Sequence, residues 1–181
     1  TQDRSWVPPI REFGRYLRSI GDNNAYVLDN RFTIQHYHAE VYLMTEDEIQ
    51  VFFKECDSYV LKQKLLGRPY VYPALYRFLY CCGARCAEAR NLKCNDVHLE
   101  KYNSAIDKCF LNREYFFPGG CGGICSSTSV SLNFRNIWTA AGLKRDGKVK
   151  PRAYDFRHHF ACANIMRLSI EGKDVHAMLP Y

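Results

Sequence analysis

Stretches of this chain repeat apolar residues at helical spacing and carry their own start or stop signals, so the fold must be built mainly from α-helices. The first such stretch opens at Thr45. Thr45-Glu46-Asp47-Glu48 is a capping box: the Thr45 hydroxyl accepts from the N–H three residues on, and Glu48 reaches back. Ile49, Phe52, Phe53 and Tyr59-Val60 then supply a buried face. Pro73 opens a second helix, Ala74 to Tyr80, which stops near Gly83, and a short third helix runs from Cys86 to about Leu92. Ser129 or Ser131 starts another through Phe134, Ile137 and Trp138, closed by Gly142. A long helix begins near Tyr154 or Asp155 and runs to about Ile170, before Gly172, and Asp174 can start a last one. Asn95-Asp96-Val97-His98-Leu99 reads as a turn followed by a short strand. The expected class is therefore mainly α with a small antiparallel β-sheet. Pro118, the glycines after it and the following serine run make residues 118–129 loop.

The helical stretches from Thr45 onward form one domain, 45–181. Residues 1–44 read differently. After Pro8-Pro9 an amphipathic helix places Ile10, Phe13, Leu17 and Ile20 on one face and Arg11, Arg15 and Arg18 on others. Gly21-Asp22-Asn23-Asn24 ends it, and residues 25–43 look like an extended linker.

A hydrophobic fraction of 47% and an aromatic fraction of 14% suffice for a packed core and exclude wholesale disorder. The net charge of +6 is a mild basic excess that permits a polyanionic partner without demanding one. Nine cysteines, an odd count with Cys81-Cys82 adjacent, fit free thiols in a reducing compartment better than a disulfide framework. Charged residues interrupt every apolar run, and no apolar leader precedes the chain, so a cytoplasmic protein without a membrane span is expected. Cys82-x-x-x-Cys86 and Cys121-x-x-x-Cys125 have a spacing zinc loosely allows. The first pair straddles a helix break and no His-x-x-x-His follows, so no metal is assigned.

Two arginines carry the chemistry. Arg85 stands in Gly83-Ala84-Arg85-Cys86-Ala87-Glu88, and Arg157 in Tyr154-Asp155-Phe156-Arg157-His158-His159-Phe160. A guanidinium is planar, always charged, and forked to grip two oxygens of one phosphate. Two of them can clamp one phosphate and stabilise the extra charge of a pentacoordinate transition state. Lys144, Arg145, Lys148, Lys150 and Arg152 form a basic loop just before Arg157, either solvated or in contact with a DNA backbone; Lys93 is a further candidate contact.

These motifs resemble the catalytic domain of the tyrosine recombinases, the phage-integrase family, over residues 45–181. The first family signature, Gly-x-Arg-x-x-Glu followed by a Leu and an Asp-Val-hydrophobic strand, is matched by Gly83-Ala84-Arg85-Cys86-Ala87-Glu88, Leu92 and Asp96-Val97-His98-Leu99. The second, His-x-x-Arg-His at the head of a helix, is matched by Tyr154-Asp155-Phe156-Arg157-His158. The sequence looks closest to integrases of bacterial conjugative transposons and prophage-like elements, with residues 1–44 as the end of a core-binding domain and its linker.

The resemblance implies site-specific recombination of double-stranded DNA through a 3′-phosphotyrosyl intermediate, with no cofactor, metal or small-molecule substrate. It implies a homo-oligomer, a tetramer on two duplexes, for the full-length protein. Arg85 and Arg157 would hold the non-bridging oxygens, Glu88 would orient Arg85 or its neighbours, and His158 would support the site. Tyr154 stands where the family has a general-base histidine, and its phenol is a poorer proton shuttle at neutral pH. It can instead donate a hydrogen bond to the phosphate or serve as a plain aromatic anchor. His159 reads as a satisfied core histidine. The family's β-hairpin lysine has no counterpart, since Lys101 runs directly into Tyr102-Asn103-Ser104. Its nucleophilic tyrosine falls beyond Tyr181, which lacks the Gly-His context. This polypeptide is therefore expected to bind DNA without cleaving it. The alternative is a non-catalytic DNA-binding or regulatory relative with the same fold.

Overall fold

The computed structural model describes residues 6–29, 32, 40–58, 67–97, 100–145 and 147–174. The chain divides into two compact units, Thr1–Ala39 and Glu40–Tyr181.

In the first unit, helix α1 spans Val7–Ser19 with its two prolines in the first turn, where a missing N–H breaks no helical bond. Two of its arginines, the buried Arg11 and the exposed Arg18, bind the segment that follows. Arg11 donates to the carbonyls of Leu28 at 2.9 Å and Asp29 at 2.8 Å, and Arg18 donates to that of Ala25 at 3.0 Å. These bonds satisfy the backbone of an extended segment that has no strand partner. Gly14 allows the close approach, since a Cβ there would lie 2.5 Å from the Tyr26 carbonyl oxygen. The buried face is Val7, Arg11 and Gly14, and Ile10, Phe13 and Ile20 of the apolar stripe remain exposed.

The second unit contains α2 (Glu46–Ser58), α3 (Arg68–Cys82), α4 (Cys86–Asn91), α5 (Glu100–Asp107), α6 (Ser127–Ala140) and α7 (Asp155–Ile170). Helix α3 packs against α2, α4, α5 and α7, and α2 packs against α6. Aromatic rings fill the space between them. The Phe52 ring lies 5.6 Å from Tyr76, 5.0 Å from Phe134, 5.9 Å from Trp138 and 5.6 Å from Phe156, centroid to centroid. The buried Tyr76 hydroxyl is satisfied by the Val130 carbonyl at 2.8 Å, and burial raises its pKa well above the ordinary phenol value.

The Thr45 capping box forms as its sequence requires. The Thr45 hydroxyl accepts from the Glu48 N–H at 3.2 Å, and the Glu48 carboxylate accepts from the Thr45 N–H at 2.9 Å. Replacing Thr45 with alanine should cost about 1 kcal/mol of stability, read as a lower urea midpoint with an unchanged slope.

Other helix starts differ from the sequence expectation. Helix α3 opens at Arg68 rather than Pro73, because Gly67 breaks the chain at φ 76° and Pro69 fills the first turn. Pro73 sits inside the helix. Helix α6 starts at Ser127, capped by the Ser126 hydroxyl, which accepts from the Ser129 N–H at 3.0 Å.

The small antiparallel sheet is not present among the described residues. Cys94–Asp96 is a 3-10 turn, closed by the Asp96 carboxylate accepting from the Lys93 N–H at 2.9 Å. His98 and Leu99 lie outside the described residues. Among the described residues, pairing is confined to two isolated bridges, Lys93 with Tyr115 and Pro118 with Ile124. A ladder cannot grow from them, because the chain turns at Cys94 and Pro118 has no N–H to give. Helix α5 was not expected at all. It is pinned by Arg113, whose side chain is 3% exposed and which pairs with Asp107 at 2.8 Å and donates to the Phe116 carbonyl at 2.8 Å. No helix among the described residues is long and apolar enough to cross a membrane.

Candidate active site

Three helix ends meet at Gly83. It is the C-cap of α3, with φ 60° and ψ 20°, and its N–H closes the helix onto the Leu79 carbonyl at 3.0 Å. A Cβ on Gly83 would lie 2.3 Å from the ring of Phe160 on α7. Only a residue without a side chain allows that approach in this left-handed conformation. The Gly83 carbonyl accepts from Arg157 Nη1 at 2.6 Å. Arg157 from α7 thus reaches the turn that carries Arg85.

Arg85 is the N-cap of α4. Its backbone N–H donates to one Glu88 oxygen at 2.7 Å, and its guanidinium donates to the other at 2.8 Å. Glu88 is held below the usual carboxylate range, first by the Arg85 backbone N–H, then by the Arg85 side chain, with the Arg157 charge adding to it. Arg85 is held above its ordinary value, chiefly by its hydrogen bond to Glu88. Its side chain is 62% exposed, so the rest of its fork faces solvent.

Tyr154 is the N-cap of α7 and half-exposed, and its ring meets His158 edge-on at 5.1 Å. His158 is half-buried beside it. The structure therefore gathers Arg85, Glu88, Arg157, Tyr154 and His158 around the ends of α3, α4 and α7. His159 is separate. It stacks on Tyr80 at 5.4 Å and approaches the Glu46 carboxylate at 3.4 Å.

The basic-loop residues divide by their engagements. Lys144 and Lys150 are exposed. Lys148 is almost fully exposed and 3.8 Å from Glu40. Arg152 pairs with the buried Asp155 at 3.0 Å, and its backbone N–H donates to the same carboxylate at 2.8 Å, which ties it to the first turn of α7. Arg145 is half-buried. Lys93 is tied to the Glu114 carboxylate and sits 4.3 Å over the Tyr115 ring. That leaves Lys93 less free for a backbone phosphate than the sequence suggested.

Sequence reasoning missed Arg135 on α6, which faces a cleft shared with Tyr154 and Arg145. The only signal for it was its phase on the helix, one turn from Ser131. Lys101 lies in the first turn of α5, and Tyr181 lies outside the described residues. The thiols of Cys82, Cys86, Cys121 and Cys125 are free. Among the described residues, no three His, Cys, Asp or Glu side chains converge as metal ligands.

No family model matches the chain, and no curated protein matches it. Solved structures do. The XerH site-specific recombinase bound to difH substrate, in a pre-cleavage complex, matches with a TM-score of 0.55 at 16% identity, over 85% of this chain and 51% of that one. XerH bound to palindromic difH substrate, in a post-cleavage complex, matches with a TM-score of 0.57 at 15% identity, over 91% of this chain and 56% of that one. The likeness is one of fold: the chain shares the fold of these site-specific recombinase structures. The chain spans about half the length of these structures.

Proposed function

We propose that this chain is the catalytic domain, preceded by the end of a core-binding domain, of a site-specific tyrosine recombinase that cuts and rejoins double-stranded DNA. The observation that carries the reading is the Arg157 hydrogen bond to the Gly83 carbonyl, which brings the second arginine to the turn of the first. Arg85 and Arg157 grip the non-bridging oxygens of the scissile phosphate with the N–H groups their protein partners leave open. Glu88 fixes the Arg85 fork, and Tyr154 donates a hydrogen bond to the phosphate, with His158 against its ring. The tyrosine nucleophile comes from outside the residues described, and the working assembly is a homo-tetramer on two duplexes. Lys144, Lys148 and Lys150 contact the backbone without regard to sequence, so affinity falls steeply as salt is added.

A suicide-substrate assay tests this reading. The 181-residue polypeptide should retain duplex DNA in a salt-sensitive way and form no covalent adduct. The full product of its gene should form a 3′-linked adduct on its cognate site. An adduct with the polypeptide itself would show that one of its own tyrosines is the nucleophile. Binding without an adduct from either protein favours the second reading, a DNA-binding relative that does no chemistry. A specific observation supports that alternative: Tyr154 stands where the family's histidine shuttles a proton.

A further inference from the structure

A cleft of about 310 Å³ opens beside Tyr154 and Cys86. Helix α6 forms one wall with Ser131, Phe134 and Arg135, and the segment leading into α7 forms the other with Arg145, Pro151 and Arg152. Its charge is unbalanced. Arg152 is neutralised by Asp155. Arg135 and Arg145 have no ion-pair or hydrogen-bond partner among the described residues, and the Nε of Arg145 is buried without an acceptor. A buried donor left unpaired is costly, and the half-buried Arg145 beside the exposed Arg135 gives the cavity a positive end that favours an anion. The floor is carbon, from the buried Val130, Phe134 and Ala153, which a hydrated ion alone would not fill. The volume lies at the small end of ligand pockets, about 300–1,000 Å³, and suits a ligand with one flat apolar part and one anionic end.

We propose that this cleft is a nucleotide pocket: it takes a nucleoside monophosphate unit, with the phosphate on Arg135 and Arg145 and the base against the carbon floor. The inference goes beyond the two-arginine reading: of the residues assigned to that site only Tyr154 lines the cleft, while Arg85, Glu88, Arg157 and His158 do not. The same chemistry can come from a nucleotide displaced from the stack of a bound duplex or from a free nucleotide.

Calorimetric titration of the 181-residue protein with dAMP, deoxyadenosine and inorganic phosphate tests it. We expect dAMP to bind at least tenfold more tightly than either of the others, and Arg145→Gln to weaken it at least tenfold. Arg145 is half-buried, so a second variant guards against misfolding. Ser131→Trp fills the cleft from an exposed position and should abolish dAMP binding with an unchanged melting temperature. Arg157→Ala should leave dAMP binding intact, which separates this site from the proposed phosphate clamp. The pocket is refuted if dAMP binds no better than inorganic phosphate, or if a folded Ser131→Trp protein binds it normally. In a second arm, duplexes carry 2-aminopurine at successive positions. A fluorescence rise on binding that Ser131→Trp removes assigns the pocket to a displaced DNA nucleotide. Binding of dAMP with no rise at any position assigns it to free nucleotide.

Discussion

Phe52→Ala should lower the unfolding free energy of the second unit by about 3–5 kcal/mol, the range for deleting a buried phenyl ring. Phe52 is fully buried and touches rings from α3, α6 and α7, so no single neighbour can move in to fill the space. Domains of this size are stable by only about 5–15 kcal/mol, so the loss takes a large share of the total. The melting temperature should fall by roughly 6–20 °C. Chemical denaturation measures the change, with Leu111→Ala as control. Leu111 is 88% exposed, and its truncation should stay within about 0.5 kcal/mol. A Phe52→Ala protein as stable as the parent would mean that the five rings do not form one core.

Arg157→Ala has the largest expected effect on chemistry. In the full gene product the rate of strand cleavage should fall by about 10²–10³-fold, the usual cost of removing one preorganised donor from a developing oxyanion. The effect has two sources. In the proposed function the guanidinium supplies charge and a fork to the phosphate; in the structure it holds the Gly83 carbonyl. Arg157→Lys separates them in part, since an ammonium keeps the charge but cannot hold a carbonyl and two phosphate oxygens in one plane. Lysine should recover DNA binding more than cleavage. Single-turnover rates beside melting curves give the answer, and a folded Arg157→Ala protein that cleaves at the parental rate would remove Arg157 from the site.

Local signals were legible where one residue decides the outcome. Thr45 with Glu48 fixes the start of α2, and Gly172, at φ 70°, marks the stop of α7, which spans Asp155–Ile170. Legibility failed where neighbours compete. Ser129 or Ser131 was the expected start of α6, and in the fold Ser126 caps it instead. Asp96 could have led into a strand, yet its carboxylate closes a 3-10 turn on Lys93. Helix α5 depends on Arg113, which lies beyond the helix and binds back to Asn103 and Asp107, so no local pattern announces it. In the site, the motifs named Arg85 and Arg157, but the bond that joins them runs to a backbone carbonyl, which carries no sequence signature. The bonds of Arg11 and Arg18 to backbone carbonyls were hidden for the same reason.

The contact between Gly83 and Phe160 makes those two positions strongly epistatic. A methyl group at 83 is opposed twice, by the left-handed backbone and by a ring atom 2.3 Å away. Shortening Phe160 removes the second penalty but leaves the first. In a library randomised at both positions, survivors should therefore appear as matched pairs, with very few single changes at 83. Loops around the domain can drift one residue at a time, whereas the hinge of the two arginines can change only by steps taken together.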